Sequence, residues 1–248
     1  MPNPSNILVL TGAGISAESG IRTFRDTGGL WETHSIHEVA TPEAFARDPA
    51  LVHRFYNARR AALPDAAPNP AHRALARLEA GLAARGGTLT LVTQNVDDLH
   101  ERGGSQRVLH MHGELTRMLC GACGHRWPFT TDADPSLACP ACKARLPSPD
   151  PLAVPRPDIV WFGEMPYHLP DIERAVIASD LFVSIGTSGE VYPAAGFVAL
   201  ARAHDVPTLE LNLEPSANAT LFTEQRTGPA GTLVPHWVGD LLAQAHPC

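Results

Sequence analysis

Five short apolar runs, each followed by polar or glycine-rich residues, constrain the fold of this chain more than any other feature. The runs are residues 6–11, 89–93, 158–162, 181–185 and 208–212. Helical patterns lie between several of them, at 193–203, at 235–245 and after Asn69-Pro70, a pair typical of a helix start. Strands that alternate with helices predict an α/β fold with a mostly parallel sheet covered on both faces.

Two regions interrupt this alternation and predict a second, smaller domain. Residues 34–68 contain no strand pattern, although Thr41-Pro42 and Asp48-Pro49 are each typical of a helix start. Residues 113–156 contain four cysteines and a proline-rich stretch. We therefore predict a sheet domain made of residues 1–33, 86–112 and 157–248, and a small domain made of residues 34–85 and 113–156.

Composition excludes several classes of protein. The chain has 248 residues, of which 44% are hydrophobic, so it can bury a sizeable core, and its 23 prolines and 20 glycines argue against a coiled coil. A net charge of −7 weighs against a nucleic-acid binder. The sequence shows neither a secretory signal pattern nor an apolar run of membrane-spanning length. We expect a cytoplasmic protein without a membrane partner, and a monomer by default.

Four of the five cysteines form two pairs with metal-ligand spacing. The pairs are Cys120/Cys123 and Cys139/Cys142, and fifteen residues separate them. This spacing favours one zinc ion held by four thiolates, and a site closed in this way is structural rather than catalytic. Two disulfides or free thiols are the alternative.

A glycine-rich loop follows the first predicted strand. Gly12-Ala-Gly14-Ile-Ser-Ala17 matches the dinucleotide pattern G-x-G-x-x-A, in which glycines let the backbone approach a pyrophosphate. An ordinary tight turn is the alternative. The acidic residue that usually grips a ribose has no clear counterpart, and Asn212-Leu-Glu214 at the end of a later strand is the candidate for that contact.

Further polar segments follow the strands, where open sheets bind ligands. They are Thr93-Gln-Asn95-Val-Asp97, the histidines His110 and His112, and Gly186-Thr-Ser188. A helix cap, incidental histidines and a plain loop are the corresponding alternatives. Tyr56 and Arg59 share one face of a predicted helix and could clamp a carboxylate, although a core tyrosine beside a solvated arginine has the same spacing.

Taken together, these segments resemble the sirtuin family of NAD-dependent protein lysine deacylases over almost the whole chain. The resemblance rests on the segments already described and on three more features, which are the continuation of the glycine loop to Arg25, His112-Gly113, and Val160-Trp-Phe-Gly-Glu164. It implies a Rossmann-like domain, a smaller domain with helices and a zinc module, and a cleft between them for NAD and an acyl-lysine peptide.

The resemblance also implies roles for individual residues. It places NAD against three groups: the loop residues Gly12, Ala13, Gly14, Ala17, Phe24 and Arg25; the nicotinamide-side residues Gln94, Asn95 and Asp97; and the adenosine-side residues Gly186, Thr187, Ser188, Asn212, Glu214 and Ala230. It makes His112 the general base, with Asn95 and Asp97 as further catalytic residues. It pairs the peptide backbone with Val160, Trp161, Phe162, Gly163 and Glu164.

The implied reaction transfers the acyl group to NAD, releasing nicotinamide and acyl-ADP-ribose. Tyr56 and Arg59 resemble the Y-x-x-R signature of the subgroup that removes succinyl, malonyl and glutaryl groups, and Ala40 stands where that subgroup has a small pocket residue. We therefore expect charged acyl groups to be preferred and acetyl to be accepted. A mono-ADP-ribosyltransferase and a non-catalytic NAD sensor are the alternatives.

Overall fold

The computed structural model describes residues 4–21 and 35–243. Nine helices lie within those ranges: α1 (Gly14–Ala17), α2 (Ile36–Val39), α3 (Pro42–Arg47), α4 (Pro49–Ala61), α5 (Pro70–Ala83), α6 (Leu99–Arg102), α7 (Leu169–Ile177), α8 (Phe197–Ala203) and α9 (Ala230–Ala243). Short 3₁₀ turns cover Leu63–Asp65, Ala194–Gly196 and Ala219–Leu221. In this described part of the chain, no helix combines the length and the apolar character needed to cross a bilayer.

A six-stranded parallel sheet forms the larger part of the molecule. Its strands are β1 (Asn6–Thr11), β2 (Thr88–Thr93), β3 (Val108–His110), β7 (Leu181–Ile185), β8 (Thr208–Asn212) and β9 (Glu224–Thr227). Their order in the sheet is β3-β2-β1-β7-β8-β9, and every pairing is parallel. The predicted α/β fold is confirmed, with β1 between β2 and β7.

Helices cover both faces of this sheet, as its largely buried central strands require. On one face, α5 and α9 share a core with the sheet, as shown by Leu75 and Trp237 packed among Ile7 and Leu91. On the other face, α7 and α8 bury residues against Leu8, Leu10 and Phe182.

A smaller unit combines α2, α3 and α4 with a second sheet. This sheet has the order β5-β4-β6 and is antiparallel; its strands are β4 (Gly113–Cys120), β5 (Arg126–Pro128) and β6 (Pro155–Ile159). The two predicted helix starts are confirmed. The Thr41 hydroxyl accepts from the amide of Ala44 at 3.0 Å, and the Asp48 carboxylate accepts from Leu51 at 2.8 Å.

The structure differs from the sequence predictions at three elements. Helix α5, placed in the small domain by the predicted division, packs on the parallel sheet because its apolar stripe faces β1 and β2. The strand predicted at 158–162 lies at Pro155–Ile159 and belongs to the antiparallel sheet. Helix α9 begins at Ala230, not at Pro235, and the carboxylate of Glu18 accepts the amide of Gly231 at 2.6 Å in its first turn.

Candidate active site

The predicted site segments meet at one edge of the parallel sheet. The chain runs outward from β1 through β2 to β3, and later returns to place β7 on the other side of β1. The strand order therefore reverses between β1 and β7. A crevice at the carboxyl ends of the strands forms where the order reverses in this way, and ligands of open α/β sheets bind there. Because β1, β2, β7 and β8 are parallel, the loops that follow them all lie at this edge of the sheet.

Three glycines allow the loops after β1 and β7 to pack against each other. A Cβ atom on Gly12 would lie 2.8 Å from the carbonyl oxygen of Gly186, and one on Gly14 would lie 2.7 Å from its Cα atom. Gly186 itself has a φ of 62°, which favours glycine. Close packing of the two loops is therefore enough to require glycine at these positions. The same packing places the loops after β1 and β7 side by side at the crevice.

Ser16, a residue of α1, forms hydrogen bonds with the side chains of both Asn95 and Asp97. The Ser16 hydroxyl donates to Asp97 Oδ2 at 3.1 Å and accepts from Asn95 Nδ2 at 3.1 Å. All three side chains are buried, and burial raises the pKa of Asp97. Sequence reasoning missed the role of Ser16, for which its place in the glycine motif was the only signal.

His112 lies between β3 and β4 with one ring nitrogen fixed. Its Nδ1 is 3.1 Å from the carbonyl oxygen of Gln94, which can only accept, so Nδ1 carries the hydrogen. Nε2 is then left with a free lone pair when the ring is neutral. Burial lowers the pKa of His112, so the neutral form is favoured near pH 7.

His110 has a different environment and both of its ring nitrogens are engaged. Nε2 lies 2.7 Å from the carboxylate of Glu101, and Nδ1 lies 3.3 Å from the carbonyl of Asn95. Burial lowers the pKa of His110, but the hydrogen bond and charge of Glu101 outweigh it and the net shift is upward. Of the two histidines, only His112 has a nitrogen available as a base.

The remaining residues expected on the adenosine side follow β7 and β8 or begin α9. Asn212 donates from Nδ2 to the carbonyl of Thr187 at 2.8 Å, which joins the loops after β7 and β8. Ser188 accepts the amide of Glu190 at 3.3 Å, Glu214 is exposed, and Ala230 opens α9. Among the loop residues, Ala13 is half-buried and Ala17 exposed, whereas Phe24 and Arg25 lie outside the described residues.

The four predicted zinc ligands converge at one corner of the small unit. Their sulfur atoms all lie within 4.8 Å of one another, with 3.6 Å between Cys120 and Cys142 and 3.8 Å between Cys123 and Cys139. A tetrahedron with Zn–S bonds of about 2.3 Å has edges of about 3.8 Å, so the cluster fits zinc. All four cysteines are free, which contradicts the disulfide alternative.

Two matching turns hold these sulfurs. The amide of Gly124 donates to the carbonyl of Cys120 at 2.8 Å, and the amide of Lys143 donates to that of Cys139 at 3.0 Å. Gly124 and Lys143 both have positive φ, 71° and 65°. The second turn therefore has the backbone shape of the first although it lacks the glycine.

Tyr56 and Arg59 lie on α4, and Tyr56 belongs to the core of the small unit together with Ala40 and Trp161. Tyr56 is only 3% exposed and its hydroxyl accepts from Nε1 of Trp161 at 3.0 Å. The guanidinium of Arg59 lies 5.6 Å from the ring centre of Phe55. Within 4–21 and 35–243, no carboxylate forms an ion pair with Arg59.

Residues 160–164 connect the core that contains Ala40 and Tyr56 to His112. The amide of Val160 donates to the carbonyl of His112 at 2.9 Å, and the amide of Phe162 donates to that of Ala40 at 3.0 Å. The segment leaves β6 as a turn, with the side chain of Phe162 exposed and that of Trp161 buried.

The profile of the Sir2 family matches residues 12–193, nearly three quarters of the chain. The chain therefore belongs to the Sir2 family, the sirtuins that its motifs resemble.

Curated relatives and solved structures agree with this assignment. A Caulobacter vibrioides protein named NAD-dependent protein deacylase is 59% identical over 238 residues, which is 96% of this chain and 97% of the relative. A Salmonella typhimurium protein of the same name is 52% identical over 98% of this chain and 85% of its own length. A Sir2 homologue solved as a complex with NAD has a TM-score of 0.82 and 35% identity, covering 97% of this chain and 91% of that one.

Proposed function

We propose that this protein is an NAD-dependent protein lysine deacylase that prefers negatively charged acyl groups. The general activity is supported by the names of the relatives, among them two that are 59% and 52% identical to this chain over nearly its full length. The observation that carries the proposal is the fixed tautomer of His112, which presents a free Nε2 at the edge of the crevice.

The proposed co-substrate is NAD, bound in the crevice formed by the loops after β1, β2, β7 and β8. When bound, NAD supplies the ribose carbon that accepts the acyl oxygen as nicotinamide leaves. Asn95 and Asp97, both buried and held by Ser16, orient the nicotinamide side. His112 Nε2 accepts the proton of a ribose hydroxyl, which prepares that oxygen for attack on the acyl carbon.

Segment 160–164 is the proposed binding surface for the peptide backbone. Its hydrogen bonds to His112 and Ala40 place it between the base and the acyl pocket. Backbone pairing gives affinity with little demand on the peptide sequence. Zinc, held by the four cysteines, has a structural role here because no ligand position stays open for catalysis.

The preference for charged acyl groups rests on Arg59 and Tyr56. Arg59 is half-buried and forms no ion pair with a carboxylate of the described residues, and the carboxylate of Asp97 acts on it only through its charge. A guanidinium that is not paired with a carboxylate favours an anionic ligand. Burial raises the pKa of Tyr56 to about 12, so its phenol stays neutral and can donate to a carboxylate. Ala40 leaves room beside them because its side chain is a single methyl group.

The experiment compares two peptides that differ only in a succinyl or an acetyl group on one lysine. Purified zinc-loaded protein is mixed with NAD and each peptide, and nicotinamide release is followed. We expect faster release with the succinyl peptide. Faster release with acetyl would retain the deacylase and remove the acyl preference, and no acyl loss with either would favour the ADP-ribosyltransferase or sensor alternatives.

Replacing Arg59 tests the residue directly. Arg59→Met removes the cation, so we expect kcat/KM for the succinyl peptide to fall at least about 30-fold, with a much smaller change for acetyl. Arg54→Met is the matched control, because Arg54 is exposed on the same helix. An equal loss with both peptides would contradict the carboxylate clamp.

A further inference from the structure

We infer that Trp161 is a specificity-determining residue, because its indole N–H directs the hydroxyl proton of Tyr56 toward the acyl carboxylate. This inference rests on the proposed preference for charged acyl groups and names the residue that prepares the pocket for them. Trp161 acts through Tyr56 and is therefore a positioning residue.

The contact between the two side chains is buried and has one possible polarity. Nε1 of Trp161 lies 3.0 Å from Oη of Tyr56, and the two residues are 2% and 3% exposed. An indole nitrogen can only donate, so the phenol oxygen is the acceptor.

This polarity leaves the proton of Tyr56 unused. A phenol has one hydrogen to donate, and no described residue accepts it from Tyr56. Because the tryptophan occupies one lone-pair direction of Oη, the hydrogen turns away from Trp161. Tyr56 and Arg59 are three residues apart on α4 and share one face of that helix. An anion attracted by the guanidinium of Arg59 would therefore approach on the side where that hydrogen is available.

The indole itself is held by contacts on its ring and its backbone. The guanidinium of Arg156 lies 4.1 Å from the ring centre, and the ring of Phe45 packs at 5.4 Å. Glu164 accepts the backbone amide of Trp161 at 2.8 Å and pairs with Arg156 at 2.7 Å. The donor therefore has a fixed direction before any substrate binds.

The consequence differs between acyl groups. A succinyl or malonyl carboxylate gains a preoriented donor, whereas an acetyl group has no atom to receive it. Replacing Trp161 should therefore lower the ratio of succinyl to acetyl activity, whatever effect it has on both activities together.

The experiment is a double-mutant cycle on Trp161→Phe and Tyr56→Phe, read as the succinyl-to-acetyl ratio of kcat/KM. We expect Trp161→Phe to lower this ratio roughly 3- to 10-fold, mainly through a higher KM for the succinyl peptide. Tyr56→Phe should also lower the ratio. In the Tyr56→Phe background the tryptophan change should have no further effect on the ratio, because there is no hydroxyl left to direct.

A second variant separates the N–H group from the shape of the ring. Benzothienylalanine at position 161 keeps a fused bicyclic ring and lacks the N–H, so it should lower the ratio as phenylalanine does, and it replaces Trp161→Phe if that variant does not fold. An unchanged ratio in the benzothienylalanine protein would overturn the inference, as would an equal further loss in the Tyr56→Phe background. If Tyr56→Phe and Arg59→Met both leave the ratio unchanged, the proposed acyl preference itself fails, and the inference fails with it.

Discussion

At the scale of single residues, the proposed chemistry depends on hydrogen bonds to the parts of side chains that do not react. His112 is left with a free Nε2 lone pair because Nδ1 donates to Gln94, and the Tyr56 hydroxyl keeps its proton to donate because its oxygen accepts from Trp161. Sequence motifs predicted roles for His112, Tyr56 and Trp161. They could not show these contacts, because the partners come from segments distant in the chain.

The pH dependence of the reaction should report His112. Burial lowers its pKa below 6.5, and the base must be neutral to accept a proton. We therefore expect kcat/KM to be level from about pH 8 down to about 6.5 and to fall at lower pH as the imidazole is protonated. The measurement is a pH profile between about 5.5 and 8.5 with the preferred peptide.

His112→Ala provides the control for that profile. It should reduce acyl transfer at least about 100-fold at every pH. An acid limb centred above pH 7 would contradict the assignment and would point to His110, the histidine whose pKa is raised by Glu101.

At the scale of elements, the sequence predicted the strands that are rich in apolar residues. β1 and β7 carry near-continuous apolar runs, and β2 and β8 each hold two or three leucine or valine residues among polar ones, with most of their residues buried. β3 has three residues and β9 is Glu-Gln-Arg-Thr, so neither carries an apolar run, and pairing with a neighbour alone makes them strands.

Strand β6 begins three residues before the strand predicted at 158–162, and its prolines explain the difference. Pro155 and Pro157 lack the N–H that a central strand needs, so the predicted strand began only at residue 158. β6 is an edge strand that pairs only with β4, where prolines are tolerated, and they leave two fewer donors to satisfy in a fully buried segment.

The zinc module should depend on its metal for its fold. Cys142→Ala removes one of four ligands, so we expect zinc content to fall and the unfolding temperature to drop by about 5 °C or more. Zinc is measured by elemental analysis and unfolding by calorimetry. Arg145→Ala is the control, an exposed neighbour outside the cluster, and equal stability of the two variants would contradict a structural metal.

At the scale of the whole molecule, three histidines are buried in their neutral form. Burial lowers the pKa of His53 to about 4, with the charge of Arg60 adding to it, lowers that of His72 to about 4, and lowers that of His100 well below 6.5. Below pH 6.5 the unfolded chain takes up protons that the folded protein does not, so folding weakens with acid.

Chemical unfolding at several pH values tests this effect. We expect the free energy of unfolding to decrease between about pH 6.5 and 4, by on the order of 3 kcal/mol for each of His53 and His72. His53→Gln removes one titrating group and should flatten the dependence relative to the unchanged protein. This comparison also cancels any loss of zinc in acid, and identical slopes would contradict the assignment.

The order of the motifs along the chain predicted only part of the overall architecture. The family resemblance predicted the larger sheet, the zinc cluster and the convergence of the polar loops. The sheet packing of α5 was missed because its amphipathic stripe fits either unit, and only the contacts with Ile7 and Leu91 decide which. The cytoplasmic location and the monomeric state stay predictions.

The glycine loop has a consequence for the order in which the protein is made. The loop is translated before the segments that it contacts, because Gly14 donates to Gly186 and Glu18 accepts from Gly231, 213 residues further along the chain. These contacts cannot form until the chain has been synthesised past Gly231. A nascent chain that ended before Gly186 would carry the complete nucleotide motif without these partners, so the motif is made well before the packing that aligns its loop.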